Sequence, residues 1–522
     1  MEVQELEMTV PWGHIAIKAW GDPTQEAIIC LPGLGDNAGT FDTLIPILPR
    51  NFYYLCVDLP GHGLSSNFPY NHPLEFTAYL FPILLVIDHF KKERTDSQDY
   101  CTRFVLYNAN TPEEYIYSLK QGFEKVKKML LFKLEDSPTY SYAEVIDKLI
   151  NSRVMGTLTP ETAQQLAKRM IKKICDDKYV FTGDKRLWSM VYPSFSEEYI
   201  DEIFLKFPIK CPAMSIYASS TVDVISDNME CCDLEVLVPW GQITIKAWGD
   251  STNEPVLMLH GILDNAGSFD SLVPLLPSNF YYLCVDLPGH GLSSHFPPNL
   301  PIHFLNFVYA LRIVAAHFKR EKYTFICHSF GGRVSTLFTQ LYPELVSKIA
   351  ILDVGYIPVN HPDRFFQQLI HGFEILDKTL SFEPQRTPSY TYEEAINKVI
   401  KNRMIGMLTY PAAEQLVKRM TKKVSEDKYK FTFDQRLRGI ISPSFSSEYI
   451  KEIFKKYPMT CPAICIITTS TKKIAKRQVL SNAQVPGFKY YEVKGHHHSH
   501  QTNPELFAPI LTRFLTRQKH KL

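Results

Sequence analysis

The sequence predicts an α/β protein: a doubly wound, mostly parallel sheet with an inserted helical lid, present twice along the chain with the first copy truncated. Three observations predict it. Short apolar runs of strand length alternate with segments of helical periodicity, the pattern of a parallel sheet covered by helices. The segment NFYYLCVDLPGHGLSS stands at 51–66 and again, letter for letter, at 279–294. Residues 355–458 read as purely helical and interrupt the alternation, as a separate layer over the strand ends would.

The elements of the second copy follow in order. LEVLVPWGQITIKAWG (234–249) reads as two strands about a Pro-Trp-Gly turn. VLMLH (256–260) and YYLCVD (281–286) are apolar runs of the fully buried, parallel-sheet kind. Phe304, Phe307, Val308, Leu311, Val314, Ala315 and Phe318 fall at helical spacing. YTFIC (323–327), KIAILD (348–353), AICIIT (463–468) and KYYEV (489–493) are four further strands, and the helical insertion lies between KIAILD and AICIIT. Inside it, TYEE (391–394) fits a capping box, a signal that SYAE (141–144) repeats in the first copy.

Trp12 and Trp240 stand 228 residues apart, but Gly122 and Gly372 stand 250 apart, so the first copy has lost a net 22 residues between His89 and Gly122. The domains are therefore read as 1–230, truncated, and 231–522, complete. With 56 basic and 55 acidic side chains, the chain has no field to hold nucleic acid or an anionic membrane. The run FTAYLFPILLVI (76–87) is too short to span a bilayer and contains Pro82, so no membrane span is expected. No secretory signal follows MEVQELEMTV. The 11 cysteines, several of them inside apolar runs, suit reduced thiols in a cytoplasmic setting, while His520-Lys521-Leu522 is similar to a relaxed peroxisomal signal.

Ligands of doubly wound sheets sit outside the carboxyl ends of the strands. Ser329, in FICHSFGG (325–332), lies just past YTFIC and ahead of a helix, on a strand-to-helix turn that would lift its hydroxyl out of the sheet. So tight a turn requires small residues two before and two after the serine. Gly331 satisfies this, Gly332 lets the helix pack close, and Cys327, about the size of serine, departs from G-x-S-x-G. A serine that merely caps the helix is the competing reading.

The serine needs a base, and the strand KYYEV delivers His497 in YYEVKGHHHSH to the same edge of the sheet. His496, His498 and His500 stand beside it, and the sequence does not separate them. The run lacks carboxylate or thiolate company, so no metal is expected. The amides of Phe330 and Ile262 would hold an oxyanion, the second in LHGILDNAGSF (259–269), where Gly261 follows His260 and permits close approach. The loop TSTKKIAKRQ (469–478) contains no carboxylate, which leaves Asp353, at the end of KIAILD, as the acid that orients the histidine. Turn formation is the competing role for an aspartate there.

With these residues in view, the second copy resembles the α/β-hydrolase superfamily, and within it the serine hydrolase-like group related to the kraken-type hydrolases. The match rests on VPWGQITIKAWG, LHGILDNAGSFDSLVPLLP, VDLPGHGLSSH, CHSFGG with ILD downstream, and Gly495 to His497. The resemblance implies a cofactor-free serine hydrolase acting on an ester-like small molecule, carboxylic ester or thioester, through Ser329, His497 and an aspartate. A serine, where related dehalogenases and epoxide hydrolases carry aspartate, argues against those two chemistries. The first copy resembles the same family over its beginning and its lid, but it has no counterpart of FICHSFGG. CTRFVLYN (101–108) stands where two strands and the elbow helix should be, no G-x-H follows CPAMSIYAS (211–219), and Pro32 replaces His260. That copy is expected to be catalytically dead. The alternative function for the whole is a catalytically impaired binding or regulatory protein whose pocket survives without turnover.

Overall fold

Residues 3–20 and 231–248 fold into equivalent hairpins, because a Pro-Trp pair ends one strand and a glycine begins the next. The computed structural model describes residues 1–33, 35–42, 44–68, 76–92, 138–151, 160–182, 231–353, 362–380, 387–402, 407–442, 447–471 and 488–516. These residues divide into two compact units, the first ending at 182 and the second starting at 231. CTRFVLYN, CPAMSIYAS and His520-Lys521-Leu522 lie outside the described residues.

In unit 1, β1 (Val3–Val10), β2 (Gly13–Trp20), β3 (Glu26–Cys30) and β4 (Phe52–Val57) form a four-stranded sheet in the order β1-β2-β4-β3. The pair β3/β4 is parallel and the others antiparallel. Val86 of helix α1 (Leu80–Lys92) packs on the sheet among Ile15, Ile17, Leu55 and Val57. The apolar run 76–87 thus forms a 3-10 turn and the start of a core helix, and no helix among the described residues is long and apolar enough to cross a membrane. Helices α2 (Tyr142–Asn151) and α3 (Pro160–Met170) and the hairpin β5 (Ile171–Cys175), β6 (Lys178–Phe181) share a small core around Val145, Leu149, Ala163 and Leu166.

Unit 2 holds an eight-stranded sheet. Its strands are β7 (Cys231–Val238), β8 (Gly241–Trp248), β9 (Glu254–Leu259), β10 (Phe280–Val285), β11 (Tyr323–His328) and β12 (Val346–Leu352), with two more after the insertion. The insertion contains α6 (Pro362–Leu380), α7 (Tyr392–Lys401), α8 (Tyr410–Met420), the hairpin β13 (Thr421–Ser425), β14 (Lys428–Phe431), and α9 (Ser447–Lys456). β15 (Ala463–Thr468) and β16 (Phe488–Val493) complete the sheet, in the order β16-β15-β12-β11-β9-β10-β8-β7. Six neighbouring strands, from β16 to β10, run parallel, and β8 and β7 add antiparallel. α4 (Phe304–Phe318), α5 (Phe330–Leu341) and α10 (Ala508–Thr516) follow β10, β11 and β16 in the chain. The strand order reverses at β9, whose neighbours are β10 on one side and β11 on the other, and such a switch point opens a crevice at the carboxyl edge.

The insertion is not purely helical, which corrects the expectation for 355–458. Lysine-rich composition favours a helix, but Thr421 and Lys423 stand opposite Phe431 and Tyr429 across a Glu-Asp turn, with the register shifting at Val424, and a β-branched residue paired with aromatic ones in this way forms a hairpin. Phe431 and Phe433 then seal the α7/α8 core of Ala395, Ile396, Ala413 and Leu416. The capping box is present: Glu394 N–H donates to Thr391 Oγ at 3.1 Å and Thr391 N–H to Glu394 Oε2 at 2.7 Å. Ser141 and Glu144 form the same pair in unit 1.

A buried ion pair ties the insertion to the sheet. Arg419, in the last turn of α8, donates through Nη2 to Asp286 Oδ2 at 2.7 Å and through Nη1 to Asp233 Oδ1 at 2.8 Å. Asp286 is fully buried and also accepts Ala266 N–H at 2.6 Å and Leu292 N–H at 3.0 Å. Asn265 Nδ2 donates to Leu416 O of the same helix at 2.9 Å. Unit 1 repeats the device with Arg169, Asp58 and Glu5, and with Asn37 on Leu166 O. Removing one partner leaves the other charge buried and uncompensated. Arg419→Met should therefore destabilise unit 2 by about 3–5 kcal/mol, read as a lower urea midpoint with the slope unchanged. A loss under about 1 kcal/mol, the range of a surface pair, would deny the clamp its structural weight.

Candidate active site

The turn between β11 and α5 is the local feature from which the site is built. Ser329 sits there at φ 48°, ψ −114°, a region that a non-glycine residue occupies only under strain. The bend brings the next amides hard against the end of β9. Gly331 N–H donates to His260 O at 3.1 Å, and a Cβ on Gly331 would come within 2.4 Å of Leu259 O, so only glycine fits. Gly332 is buried, and its carbonyl accepts the hydroxyls of Ser335 and Thr336 at 3.1 and 2.7 Å. Cys327 is the penultimate residue of β11, between Leu259 of β9 and Ile351 of β12. It is buried, and burial pushes its thiol up to about 12, outweighing the bonds from Ser335 and Leu259 that act the other way, as for an unreactive core cysteine.

Three side chains from distant parts of unit 2 meet at this bend. His497 Nε2 lies 3.1 Å from Ser329 Oγ, and its Nδ1 lies 2.8 Å from Asp353 Oδ2. All three residues are buried, at 6%, 7% and 5% exposure for Ser329, His497 and Asp353, so the chain of bonds is shielded from bulk water. Of the four histidines that the sequence leaves open, His497 alone reaches both groups. His496 turns its Nδ1 to the His498 amide at 3.2 Å, and His500 packs among Phe269, Phe507 and His328.

Asp353 is held from the neighbouring strand. Its Oδ1 accepts Thr468 N–H at 2.7 Å and Thr468 Oγ at 3.0 Å, together with the hydroxyl of Thr471. Burial works to raise its pKa, but the bonds from His497, Thr471 and Thr468 outweigh it, and the carboxyl is held below its ordinary value. The end of β15 and the acid-free loop after it thus supply hydroxyls, from Thr468 and Thr471, in place of a carboxylate. Sequence reasoning missed Thr468 and Thr471, although a Thr-Thr-Ser-Thr run next to the missing acid was a visible signal. It also missed His328, which donates Nε2–H to His497 O at 3.0 Å and so ties the residue before Ser329 to the histidine loop.

The turn after β9 is braced by two histidines that exchange amides. His260 Nε2 accepts Leu287 N–H at 3.0 Å, and His290 Nε2 accepts Leu263 N–H at 3.0 Å. Their Nδ1–H groups donate to Gly261 O at 2.7 Å and to Pro288 O at 3.0 Å. Leu263 takes φ 61° here, where the matching residue of unit 1 is Gly35 at 78°. Among the described residues, neither the Ile262 nor the Phe330 amide donates to a protein acceptor. Phe330 is the first residue of a 12-residue helix, and its ring packs edge-on against Phe304 and Phe307. In unit 1, His62 still accepts Gly35 N–H at 3.2 Å, but Pro32 cannot return the exchange.

Comparisons with known proteins place the fold in a family. The family model for the alpha/beta hydrolase fold matches residues 254–504. Serine hydrolase-like protein 2 of Homo sapiens is 32% identical over 298 residues, 54% of this chain and 93% of that protein. Serine hydrolase-like protein of Mus musculus is 33% identical over 304 residues, 54% of this chain and 95% of that protein. A crystal structure of a hypothetical protein from Pseudomonas aeruginosa aligns at TM-score 0.48 and 24% identity, over 55% of this chain and 99% of its own. The chain belongs to the serine hydrolase-like group of the α/β-hydrolase family.

Burial lowers both His260 and His290 from the ordinary 6.5 to about 3, with the His260 ring adding to the effect on His290. A native pKa below the unfolded one means that the unfolded chain takes up protons that the native chain refuses. The stability these rings contribute is therefore complete above pH 6.5 and is lost as pH falls toward 3. Each should cost about 2 kcal/mol between pH 7 and pH 5. The urea midpoint of the protein should fall over that interval, and His290→Gln, which keeps an acceptor for Leu263 N–H, should flatten the slope. An unchanged slope in the variant would remove His290 from the account.

Proposed function

We propose that unit 2 is a serine hydrolase that cleaves a small carboxylic ester or thioester through an acyl-enzyme. The observation that carries this reading is the unbroken line of hydrogen bonds from Ser329 Oγ through His497 to Asp353, at 3.1 and 2.8 Å. In the first half-reaction Ser329 Oγ attacks the substrate carbonyl, and His497 Nε2 takes its proton while Asp353 fixes the tautomer through Nδ1–H. The tetrahedral oxyanion is received by the amides of Phe330 and Ile262, which donate to no protein acceptor among the described residues. Collapse expels the alcohol or thiol, protonated by His497. Water then enters, His497 accepts its proton, and a second tetrahedral intermediate releases the acid.

We read residues 1–230 as a degenerate copy without turnover and 231–522 as the hydrolase. Arg169, Asp58 and Asn37 keep the clamp in unit 1, whereas Pro32 stands in place of His260 and the sequence has no second FICHSFGG. The partner implied is a small-molecule substrate, with no cofactor in the chemistry.

A fluorophosphonate probe tests the reading. Wild-type protein should label at Ser329, and Ser329→Ala should not. Asp353→Asn should keep the fold but lower ester turnover by about 10⁴, the scale of losing the correct histidine tautomer. Folded wild-type protein that neither labels nor hydrolyses p-nitrophenyl esters would favour the binding-protein alternative.

A further inference from the structure

Two buried arginines of unit 2 have their carboxylates. Arg419 pairs with Asp286 and Asp233, and Arg436 pairs with Asp434 at 2.6 Å while donating to the carbonyls of Phe296, Pro297 and Leu300. Arg333, the fourth residue of α5, differs. Its Nε is closed off from solvent without an acceptor, and among the described residues its guanidinium has no hydrogen-bond acceptor and no carboxylate partner. Every other residue of α5 is buried, while Arg333 keeps partial exposure. Burial lowers its pKa to about 10, with no carboxylate acting against the shift, so it stays charged at neutral pH.

Helix geometry gives its direction. Ser329 caps the helix, and Arg333 N–H donates to Ser329 O at 3.3 Å, so Arg333 closes the first turn of α5. Cα–Cβ bonds in a helix lean toward the N-terminus, and a long side chain covers the turn before its own Cα. The turn before Arg333 carries the Ser329 hydroxyl and the unspent Phe330 amide. A half-buried cation without a counter-ion is destabilising until an anion completes it, and a guanidinium fits carboxylate or phosphate with two parallel bonds.

We propose that Arg333 receives an anionic oxygen group of the substrate, so that the ester or thioester cleaved at Ser329 bears a carboxylate or phosphate close to its scissile carbonyl. This rests on the hydrolase reading above. A neutral ester would leave the guanidinium unpaired in the Michaelis complex, and an unpaired buried charge is the stronger means of discrimination.

The test compares kcat/KM for the mono-p-nitrophenyl ester of glutaric acid with that for its methyl-capped, neutral counterpart, and adds the p-nitrophenyl ester of 4-phosphonobutyric acid as the phosphate arm. Wild-type protein should prefer one or both anionic esters, the better of the two naming the source of the charge. Arg333→Met should lower the anionic-to-neutral ratio on the order of a hundredfold, with Arg333→Lys in between. Equal kcat/KM for charged and neutral esters in wild-type protein, or a ratio that Arg333→Met leaves unmoved, would overturn the proposal. The wild-type comparison decides by itself should the variant not fold. Should no ester turn over and Ser329 not label, it is the hydrolase reading that fails. Titration calorimetry with glutarate and phosphate then decides Arg333: binding that Arg333→Met abolishes supports the anion site, and absent or unaltered binding rejects it.

Discussion

The site depends on one constrained bend. At Ser329 the backbone takes φ 48°, ψ −114°, and everything around it exists to make that conformation tenable. Gly331 has no side chain to meet Leu259 O, its amide is taken by His260 O, and Ser329 N–H donates to Leu352 O at 3.2 Å across the sheet. Strain of about 1–3 kcal/mol at such a residue persists because β9, β11 and β12 fix it from both sides. The result is a hydroxyl held at the carboxyl edge of a parallel sheet, at its switch point, within hydrogen-bond distance of His497.

The bend would be of little use if the turn after β9 could drift. Two neutral rings, His260 and His290, each hold an amide of the other's loop, and Asp286 gathers Ala266 N–H, Leu292 N–H and Arg419 onto one buried carboxylate. The inserted layer is part of that frame through α8, since Asn265 and Asp286 both bond to it. Unit 1 has the Asp58–Arg169 pair and the Asn37 contact but only half of the histidine exchange. Unit 1 thus keeps the carboxylate–arginine frame with one half of the histidine exchange.

The sheet and the location of the site were legible because parallel strands are buried on both faces and read as apolar runs, and because a serine between a strand and two glycines has few structural alternatives. Asp353 was legible only by elimination. What holds it was not: Thr468 and Thr471 act through hydroxyl geometry that leaves no periodicity or charge in the sequence. The choice of His497 among four histidines depends on how a short loop turns after Gly495, and one residue of rotation would have presented a neighbour. The β13/β14 hairpin was hidden by its lysines, whose helical preference is weaker than the cross-strand pairing of Thr421 with Phe431 and of Lys423 with Tyr429. Arg333 reads in sequence as an ordinary surface residue of a helix; what distinguishes it is that its guanidinium has no partner among the described residues.

The carboxylate that orients His497 is covalently part of the β12 end but is gripped by hydroxyls of β15 and the residues after it. Asp353 N–H also bonds Ile466 O at 2.8 Å, and the two strands are registered Leu352 to Ile466. The acid is thereby a dowel driven through two adjacent planks: sliding one strand past the other would turn the carboxyl plane away from the imidazole even with every side chain unchanged. Alignment of this apparatus is a mechanical property of the sheet's centre, and shear there would register as lost turnover before it registered as lost fold.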